Sequence, residues 1–128
     1  MIKKPLISIP GIAFVFATLL SITSAFADEV IQFKTKGEPA YFVNDMQNPE
    51  LTLKRGVTYQ FEMNAVGHPL WIKTNISAGK DNAFKNGITG NGTDRGKITF
   101  TVPADAPAVL YYNCQFHIVM NGKINIID

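Results

Sequence analysis

The segment Cys114-Gln115-Phe116-His117-Ile118-Val119-Met120 holds the chain's single cysteine, one of its two histidines and a methionine within seven residues. The second histidine lies upstream in Gly67-His68-Pro69. One thiolate, two imidazoles and a thioether form a soft donor set, which suits copper cycling between Cu(I) and Cu(II). A thioether is a poor zinc ligand, so zinc fits less well. A lone cysteine without context is more often a buried, inert thiol, so the surrounding elements decide. Spacings of three let one tight loop turn Cys114, His117 and Met120 toward one point. His68 and His117 would then complete a trigonal plane with Cys114, with Met120 as a weak axial ligand to a single copper ion.

The elements that must position these residues read as β throughout. Val57, Tyr59, Phe61 and Met63 alternate with Thr58, Gln60 and Glu62, the period of a half-buried strand. Ile98, Phe100 and Val102 alternate in the same way. Val30–Phe33, Ala40–Val43, Leu51 to Lys54, Pro69–Lys73 and the run through Ile124 and Ile126 are further short extended segments, separated by Gly, Pro and Asn turn signals. Leu110, Tyr112 and Cys114 fall on one face, so the thiol points where core residues point. The segment 75–96 is rich in Asn, Gly, Asp and Lys. It is expected to hold a short helical turn near Ala83-Phe84 and a tight turn at Asn91-Gly92. The fold class is all-β, an antiparallel Greek-key β-sandwich of seven to eight strands.

The N-terminus has a different character. Lys3 and Lys4 precede the apolar stretch GIAFVFATLL, and Ala25-Phe26-Ala27 is a small-x-small site. This pattern predicts a secretory signal peptide over 1–27 and one copper-binding domain over 28–128. The location is then periplasmic, with no membrane attachment after cleavage. Lys3 and Lys4 are two of twelve basic residues, so the rest of the chain carries ten against ten acidic residues. A formally neutral domain whose densest basic cluster is Lys54-Arg55 argues against nucleic acid as a partner. One cysteine excludes an internal disulfide. A free thiol in an oxidising compartment must be buried or coordinated.

Tyr-Tyr-Asn-Cys-Gln-Phe-His, followed by Met-Asn-Gly-Lys-Ile-Asn-Ile, resembles the end of a cupredoxin, a small type 1 blue copper protein of the plastocyanin and amicyanin kind. Arg-Gly-Val-Thr-Tyr-Gln-Phe with Asn64 and Gly67-His68 resembles the strand and loop that deliver the first histidine ligand in that family. The resemblance covers roughly residues 50–128, with an insertion at 75–96. It implies a copper site of His68, Cys114, His117 and Met120, and single-electron transfer without enzymatic turnover. It also implies a monomer that docks transiently on a redox donor and acceptor through an apolar patch of Phe116, Ile118, Val119 and Leu70, with Pro69 and Trp71 on the adjoining rim. In most members an asparagine follows the first histidine, and its N–H donates to the cysteine sulfur. Here Pro69 has no N–H, while Phe116 retains one that can serve the sulfur.

Two other readings stay open. A copper-delivery protein would use a more open, Met- or His-rich site. A copper enzyme would need an open coordination position and a catalytic base. Glu62 is close in sequence, but its parity places it opposite Phe61 and Met63. The chain has no His-x-His pair for a multicopper oxidase and one cysteine where a dinuclear centre needs two.

Overall fold

The computed structural model describes residues 28–128, so the expected signal peptide over 1–27 lies outside the described residues. Ten strands follow in chain order: β1 (Glu29–Lys34), β2 (Phe42–Val43), β3 (Met46–Gln47), β4 (Leu51–Lys54), β5 (Thr58–Asn64), β6 (Leu70–Lys73), β7 (Ile88–Thr89), β8 (Arg95–Thr101), β9 (Val109–Cys114) and β10 (Asn121–Ile127). They form a six-stranded sheet ordered β3-β2-β1-β5-β8-β7 and a four-stranded sheet ordered β4-β10-β9-β6. The period-two alternation explains the packing. Tyr59, Phe61 and Met63 of β5 and Ile98 and Phe100 of β8 turn inward from the first sheet. Leu70 and Ile72 of β6, Leu110, Tyr112 and Cys114 of β9, and Ile124 and Ile126 of β10 meet them from the second. Each large apolar side chain removed from water this way contributes about 1.5–3 kcal/mol relative to exposure.

The sandwich is mixed rather than purely antiparallel. β1 runs parallel to β5, with Ile31 opposite Phe61 and Phe33 opposite Met63. β4 runs parallel to β10, with Leu51 opposite Ile124. Each parallel pair joins strands whose connection crosses between sheets, a non-local pairing that strand periodicity does not encode. Three of the ten strands are two residues long, which accounts for the excess over the expected seven or eight.

The segment 75–96 holds no helical turn, contrary to the expectation at Ala83-Phe84. Ala83 instead bridges Lys73, and the Phe84 amide donates to the Ile72 carbonyl at 2.9 Å. Asn91 reaches back to the same strand: its side chain accepts from the Ile72 amide at 2.8 Å and donates to the Ile72 and Phe84 carbonyls. The turn at Asn91-Gly92 is present, with Gly92 at φ +90. The insertion therefore covers the free edge of β6, a backbone row that would otherwise be left unpaired.

Gly122 of β10 stands opposite Tyr112 of β9. A Cβ at position 122 would lie 2.2 Å from the Tyr112 ring. Tyr112 has no room to yield, because it is fully buried and its hydroxyl donates to the Pro49 carbonyl at 2.6 Å. Gly122→Ala should therefore lower the stability by about 1–3 kcal/mol through overpacking. Urea denaturation checks this, and an unchanged midpoint would contradict the close approach.

Candidate metal centre

Three chain segments converge at one end of the sandwich. The first is the crossover from β5 to β6, residues 65–69. The His68 amide donates to the Ala65 carbonyl at 2.8 Å, closing a four-residue turn with Gly67 at φ +86 in its third position. That left-handed conformation is the one glycine adopts without strain. Asp94 holds the turn from outside: its carboxylate accepts from the Gly67 amide at 2.8 Å and its carbonyl from the Ala65 amide at 2.9 Å. The Tyr41 hydroxyl donates to the His68 carbonyl at 2.8 Å. Burial, and then the charge of the nearby Cys114, push the Tyr41 pKa up, so it stays a neutral donor.

The second and third segments are the end of β9 and the loop 115–120 that turns into β10. Cys114 is fully buried and stands opposite Leu70 in the β6–β9 ladder. The Cys114 amide donates to the Met120 carbonyl at 2.9 Å, and the Met120 amide to the His117 carbonyl at 3.0 Å. The loop is thus a closed hairpin connection with its ends pinned together. The Gln115 amide donates to the Pro69 carbonyl at 2.9 Å, which ties this loop directly to the His68 loop.

The outcome is a compact donor cluster. Cys114 Sγ lies 3.7 Å from His68 Nδ1 and 3.6 Å from His117 Nδ1. One ligand atom from each of His68, Cys114 and His117 lies within 4.8 Å of the others. The two imidazole rings sit 4.9 Å apart at 37°. A metal held at about 2.3 Å from sulfur and 2.0–2.1 Å from nitrogen, with angles between tetrahedral and trigonal, needs sulfur–nitrogen separations of about 3.6–3.8 Å. The two observed sulfur–nitrogen separations fall within that range. A thiolate with two imidazoles is a soft, charge-limited set, and it fits a single copper ion. Met120 is fully buried at the closing end of the same loop.

The expected surface patch needs one correction. Phe116 and Val119 are 63% and 72% exposed, and Ile118 is also exposed around the half-buried His117. Leu70 is fully buried, because its parity on β6 points it into the core beside Ile72. It cannot belong to a docking surface. Trp71 lies on the opposite face, half-buried, with its Nε1 donating to Gln115 Oε1 at 3.0 Å. Glu62 stands on the outward face of β5 opposite Lys97, away from the cluster's side of the strand.

No family model and no curated protein matches the chain. Solved structures do. Rusticyanin, described as a copper protein, is 22% identical at a TM-score of 0.52, covering 79% of this chain and 80% of that one. A methionine-to-glutamine variant of rusticyanin matches with the same identity, TM-score and coverage. A histidine-to-methionine variant gives 22% identity and a TM-score of 0.50, with 79% and 80% covered. The chain has the cupredoxin fold, a β-sandwich of two mixed sheets.

Burial lowers the His68 pKa from the usual 6.5, and the facing His117 lowers it further, while Asp94 opposes both. Neutral imidazole is the form a metal requires. The sign for stability follows. A depressed histidine pKa means the unfolded chain binds more protons than the folded one, so folding is weakened as pH falls. The metal-free protein should melt at lower temperature as pH drops from about 7 to about 5, and His68→Gln should flatten that slope. A wild-type midpoint constant across this window would contradict the assignment.

Proposed function

We propose that this chain is an exported type 1 copper protein that carries single electrons between redox partners, with His68, Cys114, His117 and Met120 as its ligands. The observation that supports it most is the placement of a fully buried thiol at 3.6 and 3.7 Å from two imidazole nitrogens on separate loops. Bound copper would supply the redox chemistry by alternating between Cu(I) and Cu(II).

The protein's own part is constraint. His68 is held by its turn and by Tyr41, Cys114 by the β6–β9 ladder, and His117 by the closed hairpin loop. Donors fixed by the sandwich move little when the metal changes charge, which keeps the reorganisation cost of electron transfer low. His117 lies among exposed Phe116, Ile118 and Val119, so an apolar surface surrounds this half-buried ligand. That surface suits a small, short-lived interface with a donor or acceptor. Formal neutrality of 28–128 means weak long-range steering, so association should depend little on salt. The signal sequence over 1–27 supports a periplasmic location, and a monomer is the working unit for transient docking. No enzymatic step is part of this reading.

Two measurements test it. The Cu(II)-loaded protein should show an intense visible charge-transfer band and the electron paramagnetic resonance signature of a copper–thiolate bond. Cys114→Ser should abolish both. Loading without such a band would reject the electron-carrier reading in favour of copper delivery. The second concerns Pro69, whose missing N–H removes one donor to the sulfur. Hydrogen bonds to the thiolate stabilise its charge in the reduced state, so Pro69→Asn should raise the reduction potential. An unchanged or lower potential would show that position 69 does not serve the sulfur.

A further inference from the structure

Lys73 is fully buried, which is rare for a lysine unless its ammonium is paired or fully hydrogen-bonded. It sits at the end of β6 opposite Tyr111, on the sheet face away from the core. The insertion closes over it. Its Nζ donates to the Ser77 carbonyl at 2.7 Å, the Gly79 carbonyl at 2.9 Å, and Ser77 Oγ and Asn113 Oδ1 at 3.3 Å each. Every one of these partners is an uncharged oxygen. No carboxylate is bonded to the ammonium, and the Asp81 charge acts on it only at a distance.

Asn113 is the second half of the arrangement. It is fully buried and immediately precedes Cys114. Its Oδ1 accepts from Lys73 and from the Ser77 amide at 3.0 Å. Its Nδ2 donates to the Ile118 and Met120 carbonyls at 3.2 Å each. The amide's acceptor end thus faces the cation, and its donor end holds the loop that carries His117 and Met120. The Gly79 amide adds a direct bond to the Gln115 carbonyl at 3.1 Å. The segment 77–79, Lys73 and Asn113 form one fully bonded polar network behind the cysteine. Among the described residues no buried side-chain nitrogen or oxygen is left without a partner.

We propose that Lys73 and Asn113 are positioning residues for the Cys114–Met120 loop: they pin it from the outer face of the sheet, and the buried ammonium, bonded only to neutral oxygens, favours the reduced state of copper bound there. The mechanical half follows from the bonds alone. The electrostatic half rests on the copper reading above. Reduction adds one negative charge to the site, and a fixed cation in a poorly screened environment lowers the energy of that charge. Burial lowers the Lys73 pKa, and the charges of Asp81 and then of Cys114 oppose that lowering. Salt screens a buried charge little, so the effect persists at high ionic strength.

The test uses the purified protein with and without copper, and compares wild type with Lys73→Met, Asn113→Ser and, as a control, Lys97→Met. Lys97 is exposed on the other sheet. In the metal-free protein, hydrogen exchange at the Cys114, Gln115 and Met120 amides should quicken about tenfold or more in Lys73→Met and Asn113→Ser, while β5 and β8 amides keep their protection. Wild-type protection of the loop in both variants would overturn the pin. Asn113→Ser keeps the Lys73 bonds to Ser77 and Gly79, so it decides the point if Lys73→Met does not fold. In the copper-loaded protein, Lys73→Met should have a lower reduction potential than wild type, and Lys97→Met the wild-type value. An unchanged potential in Lys73→Met, or an equal fall in Lys97→Met, would overturn the electrostatic half. A wild type that takes up copper without a copper–thiolate band would end the electron-carrier reading and that half with it. The exchange result would still decide the pin.

Discussion

The hydrogen bond from the Gln115 amide to the Pro69 carbonyl joins the two loops on which the site depends. His68 arrives on a crossover from one sheet to the other, and Cys114 arrives at the end of a strand. The donors meet because β6 and β9 pair in the register that puts Leu70 opposite Cys114 and extends by this one bond. A slip of one residue would turn Cys114 to the outer face, where Asn113 now lies, and the cluster would not exist. Register here is strongly specified, since Leu110 and Tyr112 would lose their core contacts together with Cys114. Hydrophobic packing of the sandwich therefore sets the geometry of the metal site. Proline at 69 gives up an N–H but keeps the carbonyl that ties the loops.

Electrostatics constrains the same region from the other side. A thiol buried at the core face must be stabilised as a thiolate before it can serve as a ligand. The Tyr41 phenol is kept neutral by burial and spends its proton on the His68 carbonyl. The His68 imidazole is held toward its neutral form. On the opposite face, the Lys73 ammonium is surrounded by carbonyl, hydroxyl and amide oxygens. Apolar side chains and neutral donors surround the cluster, and Asp94 acts on the His68 turn chiefly through the Gly67 amide.

Much of this was legible in the residues. Period-two alternation located β5, β8 and β9 and pointed Cys114 inward, because alternation is a local property that burial imposes on each strand. The donors His68, Cys114 and His117 stood out by type and spacing, since the chain has one cysteine and two histidines. The parallel pairings β1–β5 and β4–β10 were not legible, because they join segments far apart in sequence through the crossing of the sheets. Leu70 was misplaced at the surface for want of its parity, which follows once Trp71 is known to face outward. The buried Lys73 and Asn113 left no local signal. They stand on an outward face that would be wet in a sandwich without the insertion, and the folding of 75–82 over that face buries them. A lysine on the outer face of a strand beside a long Asn- and Gly-rich insertion was the one hint on offer.

The central claim is that the protein holds three donors in place for a single copper ion and lets them move little between oxidation states. X-ray absorption of the copper-loaded protein, recorded in the oxidised and then the reduced state, addresses it directly. The account predicts one short sulfur and two imidazole nitrogens around copper in both states, with small changes in distance between them. Loss of the sulfur, or a change in the number of donors on reduction, would contradict it.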